Sequence, residues 1–300
     1  MIDILLKALI VILTMVITKY TFSGHESFPC KTLWLKKGYD FVLENNDWNN
    51  LYSVVKLGVG KNMVASIRYW MRSFGLINND GVTDVAHLIF DSNSGTDPFM
   101  EDLGTLWLLH YQLVRSNEAT LYNLFFTRFQ RERMTFDRNH VVAFVKRFML
   151  ENGKIKQFNE NTIKKDVGVL LQNYSLSRTP SSMEDYSVLL ADLDLISLSS
   201  DEKQYSFNIE GKRQLPIEIH LYAIVKEKGN TDSVDYDTLQ MIGNVFCLND
   251  MGLINILMKL QTKFPNIFRY TDTAGLRQVQ FLKRVLPYEV LKYYYRNEEL

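Results

Sequence analysis

The stretch LGVGKNMVASIRYWMRSFGLI, residues 57–77, constrains the fold more than any other because it imposes two faces on one helix and brackets that helix with turns. At about 100° per residue, Met63, Val64, Ile67, Trp70, Met71 and Phe74 share one arc, wide enough to bury against neighbouring helices. Opposite them run Lys61, Ala65, Arg68 and Arg72 at spacings of four, three and four, flanked by Asn62, Ser66 and Tyr69. LGVG reads as a short helix ending in a glycine turn. FGLINNDGVTD reads as a glycine stop followed by an Asn-Asp-Gly hairpin. Helix, turn, helix and hairpin is the order of a winged helix-turn-helix, whose second helix lies in the DNA major groove. Lys and Arg there meet phosphate or guanine, and Asn and Ser meet base edges. The same face also fits a solvated basic surface or a protein-docking module.

The 34 basic and 34 acidic residues cancel, so nucleic-acid binding would rest on local patches and not on a whole-chain field. Such patches exist. Residues 31–75 hold seven Lys or Arg against Asp40, Glu44 and Asp47, and residues 128–165 hold ten against Glu132, Asp137, Glu151 and Glu160. Residues 76–102 instead carry six acids and no Lys or Arg, which suits docking of a basic partner. The two cysteines, Cys30 and Cys247, lie far apart and outside any CxxC pair, so a disulfide or zinc scaffold is disfavoured and a cytoplasmic location is expected. There is no P-loop or dinucleotide fingerprint, and GVGKN lacks the Walker spacing, which disfavours an ATPase.

ILLKALIVILTMVI at the start is too short to span a bilayer comfortably, which takes about 20 apolar residues, and Lys7 interrupts it. A start at Met15 is favoured over a membrane or export segment and over a core helix. After the basic helix, residues 99–114, 118–129 and 136–153 read as helices forming a connector. NENTIKKDVGVLLQNYS reads as a helix capped by Asn161 or Thr162. The polar linker SRTPSS follows, then MEDYSVLLADLDLI as a helix and SLSSDEKQYSFNIEG as a hairpin. Helices over 217–228, 236–246 and 250–264 precede a last hairpin in IFRYTDTAGLRQVQF. The expected class is mainly α with small β-hairpins (α+β), built from tandem winged-helix-like units. The division is an apolar leader at 1–14, a first unit at 15–98, the connector at 99–153, a second unit at 154–215 and a third at 216–300.

FSGHESFPCKTLWLKKGYDFV, LGVGKNMVASIRYW and DTAGLRQV together resemble a bacterial family of unknown function, similar to the SspB-type component of single-strand DNA phosphorothioation systems. The likeness runs from about Met15 to the C-terminus. It implies a DNA-binding protein of a DNA-modification defence system, working beside a cysteine desulfurase, an ATPase and an ATP-pyrophosphatase-like sulfurtransferase. It carries no catalytic set to this chain. Three functions follow: positioning duplex DNA for sulfur modification, nicking DNA with Mg²⁺ or Mn²⁺, or serving as a protein scaffold.

GHESF joins His25 and Glu26, a pair able to serve as general acid and cation ligand in phosphodiester cleavage. Adjacent side chains diverge on extended backbone, so a structural corner is the favoured reading. Glu160, Asp166 and Asp272 are the remaining metal-ligand candidates. Asp166 is expected to pair with a cation and Asp272 to cap a turn. Arg277 and Gln278, on the last hairpin, are candidate wing contacts to DNA.

Overall fold

The computed structural model describes residues 20–79, 81–175, 188–201, 203–209, 214–273 and 275–300. The leader 1–14, the Met15 start, the SRTPSS linker and the first residues of the helix expected from Met183 lie outside these. The described chain is mainly helical with small antiparallel sheets, the expected α+β class. It divides into one unit over Thr21–Asn208 and a second that takes Ile209–Leu300 together with Tyr20.

Helices α1 (Trp34–Leu43), α2 (Tyr52–Leu57) and α3 (Lys61–Ser73) pack on one another at the start of the first unit. Gly58 closes α2 at φ 66°, a left-handed conformation that only glycine adopts without strain, and its N–H bonds to the Val54 carbonyl. Strands β1 (Ile77–Asn78) and β2 (Gly81–Val82) then pair antiparallel, with Ile77 opposite Val82. Helix α4 (Asp84–Phe90) starts where the Thr83 hydroxyl accepts from the Ala86 N–H.

Helix α5 (Leu103–Arg115) is buried over most of its circumference. Helix α6 (Thr120–Leu124) runs through a π turn at Phe125–Phe129 into α7 (Gln130–Glu132). Strand β3 (Thr135–Phe136), helices α8 (Arg138–Glu151) and α9 (Glu160–Tyr174), and strands β4 (Ile196–Leu198) and β5 (Tyr205–Phe207) follow. The sheet order is β3-β5-β4, so residues 99–153, expected as a connector, supply an edge strand to this sheet. Phe125 meets Phe207 at 4.7 Å and Phe129 meets Phe136 at 5.2 Å, an aromatic core that fixes the sheet against the π turn. Two local expectations change. Asn159, not Asn161 or Thr162, caps α9, its side chain accepting from the Thr162 N–H at 3.0 Å. The described part of the helix expected over 183–196 holds only the 3₁₀ turn Ala191–Leu193, which Asp194 ends at φ 46°.

The second unit contains α10 (Ile217–Lys228), β6 (Ser233–Asp235), α11 (Tyr236–Val245), α12 (Asp250–Lys263), β7 (Phe268–Thr273), β8 (Leu276–Phe281) and α13 (Pro287–Arg296). Its sheet order is β6-β8-β7, so both three-stranded sheets place the last strand in the middle, after a strand, two helices and a hairpin. Asp235 caps α11 and Asn249 caps α12, which bends 106° away from α11. Among the described residues no single helix is long and apolar enough to cross a membrane.

His220 on α10 is fully buried against Phe246, with neither ring nitrogen hydrogen-bonded among the described residues. Burial pushes its pKa down from 6.5 to about 3. Below pH 6.5 the unfolded chain takes up a proton that the folded unit refuses. Stability therefore falls as pH drops from 6.5 towards 3, by roughly 1.4 kcal/mol per pH unit. His220→Leu is expected to flatten the dependence of melting temperature on pH between pH 6 and 4. A variant with the wild-type slope would contradict this.

Candidate nucleic-acid interface

Helix α3 separates its faces almost as its sequence spacing requires. Val64, Ile67, Trp70 and Met71 are buried, Lys61, Asn62 and Ala65 are exposed, and Arg68, Tyr69 and Arg72 are half-buried. Among the described residues no acid pairs with Lys61 or Arg68, and Arg72 donates to the Asn79 side chain at 3.3 Å, across to the hairpin. Ser66 differs from expectation. It is 0% exposed and its hydroxyl has no partner among the described residues, which places it with Ser73 on the flank of the buried arc, where small side chains let a neighbouring element approach. That position cannot touch a ligand on the outer face.

Tyr69 links this helix to the GHESF loop. A Cβ on Gly24 would come within 2.6 Å of the Tyr69 ring, and Gly24 sits at φ 106°, so both close approach and backbone conformation call for glycine. Ser23, Glu26 and Ser27 are also left-handed, with φ of 70°, 49° and 65°. Such a corner survives only when its surroundings over-determine it. His25 supplies the anchor. It is 3% exposed, its ring stacks on Trp70 at 6.2 Å, and its Nδ1 accepts from the Ser27 N–H at 3.1 Å. Its Nε2 therefore carries the proton directed at the Asp166 carboxylate, 3.0 Å away. The other Asp166 oxygen accepts from the Ser23 N–H at 2.8 Å. Further along the segment, the Cys30 N–H donates to Asn173, whose amide donates to the Tyr122 hydroxyl. Both His25 nitrogens are thus engaged within the protein, while Glu26 points to solvent.

The acids do not converge. Glu160 pairs with Lys164, whose hydrogen bond lowers its pKa, Asp166 holds His25, and Asp272 bonds Arg277 at 3.1 Å. Among the described residues no group of three His, Cys, Asp or Glu is placed to hold a metal ion. In the acidic stretch, Asp91, Asp97 and Asp102 accept backbone N–H groups at turns and a helix start.

Arg277 sits opposite Asp272 in the β7–β8 register, 3.7 Å from Asp250 and over the Tyr236 ring at 5.0 Å. Asp250 is a member of this cluster that sequence reasoning misses. Its place in the first turn of α12 gives no sign of the hairpin arginine, which only the tertiary fold brings near. Hydrogen bonds from Gln240 and Tyr236, with the nearby Arg277, hold its carboxyl below the usual range. Gln278, half-buried, contributes its carbonyl to the Thr271 hydroxyl at 3.3 Å. Arg277 on the last hairpin is therefore a neutralised cation, whereas on α3 the exposed Lys61 and the half-buried Arg68 have no acidic partner among the described residues.

Two solved structures share this fold. The magnesium ion-bound crystal structure of SspB matches with TM-score 0.80 and 25% identity, covering 92% of this chain and 88% of that one. A second SspB crystal structure matches with TM-score 0.78, at the same identity and coverage. No curated protein matches. The family described as protein of unknown function DUF4007 matches over residues 22–295, and the chain belongs to that family.

Proposed function

We propose that this protein binds duplex DNA through a winged helix-turn-helix at its N-terminal end and positions it for the cysteine desulfurase, ATPase and sulfurtransferase subunits of a phosphorothioation system. One observation carries the reading. Lys61 and Arg68 stand without an acidic partner, among the described residues, on the outer face of α3, the helix that follows α2 across a glycine turn, which is the arrangement this reading takes as a helix-turn-helix. In this reading the short hairpin after α3 serves as the wing, which is supported by the hydrogen bond from Arg72 to Asn79. The likeness to SspB supports the assignment to a modification system.

Ala65 lies between the cations, exposed and small, so it tests the face without touching the core. Ala65→Glu places a carboxylate against the phosphates and is expected to weaken duplex binding at least tenfold with an unchanged melting temperature. Undiminished binding would favour a protein-docking scaffold. Magnesium-dependent nicking is a second reading, favoured by the magnesium ion in one SspB structure. Open-circle plasmid that appears with Mg²⁺ or Mn²⁺ and disappears with chelator would support it.

A further inference from the structure

Helix α9 carries a second polar stripe that the reading above leaves unused. Ile163, Asp166, Val167, Leu170, Asn173 and Tyr174 are buried, and so are Val169 and Leu171 at the two edges of this inward face. Asn161, Lys165, Gly168 and Gln172, spaced four, three and four, fall within an arc of about 60° on the opposite side. Asn161, Lys165 and Gln172 are exposed, and no acid pairs with Lys165 among the described residues.

Gly168 is the member that needs explaining. Glycine inside a helix is less stable than alanine, and a Cβ at this position would meet nothing within 4 Å. The fold does not require glycine there, so its effect is to leave the outer surface open to close approach. The surroundings point the same way. The turn between α8 and α9 carries Lys154 and Lys156, both exposed, and Lys146 on α8 lies near enough to Glu160 to help lower its carboxyl pKa. In chain order α8 and α9 lie between β3 and the β4–β5 hairpin of one sheet, the hairpin coming after the 3₁₀ turn Ala191–Leu193, and this order of helices before a hairpin is compatible with a groove-entering helix and a wing.

We infer that α9 is a second DNA-contacting helix. Asn161 and Gln172 reach base edges in the major groove, where amides pair with adenine N6 and N7. Lys154, Lys156 and Lys165 hold the flanking phosphates, and Gly168 lets the duplex lie against the helix. Eleven residues separate the two amides, about 16 Å along the axis, so they read positions about five base pairs apart. The inference rests on the reading of the chain as a duplex-DNA binder.

The test is selection from a randomised duplex library, with affinities at several salt concentrations and a melting curve for each protein. Wild type is expected to enrich a motif of about five base pairs. The variant Asn161→Ala, Gln172→Ala should lose that enrichment at least tenfold while overall affinity falls less than about threefold. Lys154→Ala, Lys156→Ala should lower the log-log salt slope by about two. Gly168→Ala should raise the melting temperature, and Gly168→Glu should cut affinity at least tenfold without lowering it. Enrichment of the same motif by the amide variant, no motif with wild type, or wild-type affinity in Gly168→Glu would overturn the inference. If α3 variants lose binding and α9 variants keep it, only this inference fails. The reverse contradicts only the α3 reading, and a wild type that binds no duplex contradicts both.

Discussion

Asp166→Ala is expected to destabilise the unit Thr21–Asn208 by about 2–5 kcal/mol, although the residue lies far along the chain from the helix whose face it helps fix. The carboxylate is 5% exposed and receives both the His25 Nε2 proton and the Ser23 N–H. Removing it strands the buried His25 donor away from water, at about 1–3 kcal/mol, and takes the acceptor from the Ser23 N–H. It also releases a corner in which Ser23, Gly24, Glu26 and Ser27 all hold positive φ. The substitution Asp166→Asn would restore only part of this, because the amide accepts through one atom only and turns its NH₂ towards a donor. Thermal denaturation checks the prediction, and a drop of roughly 5–15 °C is expected for a unit of this size. A melting temperature within a degree of wild type would mean that the loop is not held from α9.

Local structure is legible in the sequence where a short-range rule governs it. The bounds of α10, α11 and α12 follow from apolar spacing, the Asp235 and Asn249 caps, and Pro216 before α10, all of which act within a few residues. The buried arc of α3 is legible for the same reason. Ser66 is not, because periodicity assigns a serine to solvent, whereas its position at the edge of the buried arc decides otherwise. His25 draws attention to its neighbour Glu26, yet its partner stands 141 residues away, beyond any local pattern. The pairing of β3 with β5 is hidden similarly, since Phe136 meets Tyr205 only after two helices intervene. Arg277 is an intermediate case. Its facing residue, Asp272, follows from the antiparallel register of β7 and β8, so the neutralised hairpin is readable in part, whereas Asp250 requires the tertiary fold.

The variant Lys61→Ala, Arg68→Ala, Arg72→Ala is expected to lose most duplex binding through α3 while remaining folded. None of the three side chains belongs to the core, so their removal opens no cavity. Ile67→Ala supplies the contrast. Ile67 is 0% exposed, and its truncation should cost about 2–5 kcal/mol of stability. Each phosphate neutralised by a cation releases counterions, so the loss of three contacts should lower the log-log salt slope by about three and leave a binding curve much less sensitive to salt. The decisive measurement is therefore a titration of duplex DNA at several salt concentrations, wild type against the triple variant, with melting curves for both. The account predicts an unchanged melting temperature, weaker binding and a slope reduced by about three. A folded triple variant with wild-type affinity and wild-type slope would contradict the assignment of α3 as the DNA-contacting helix.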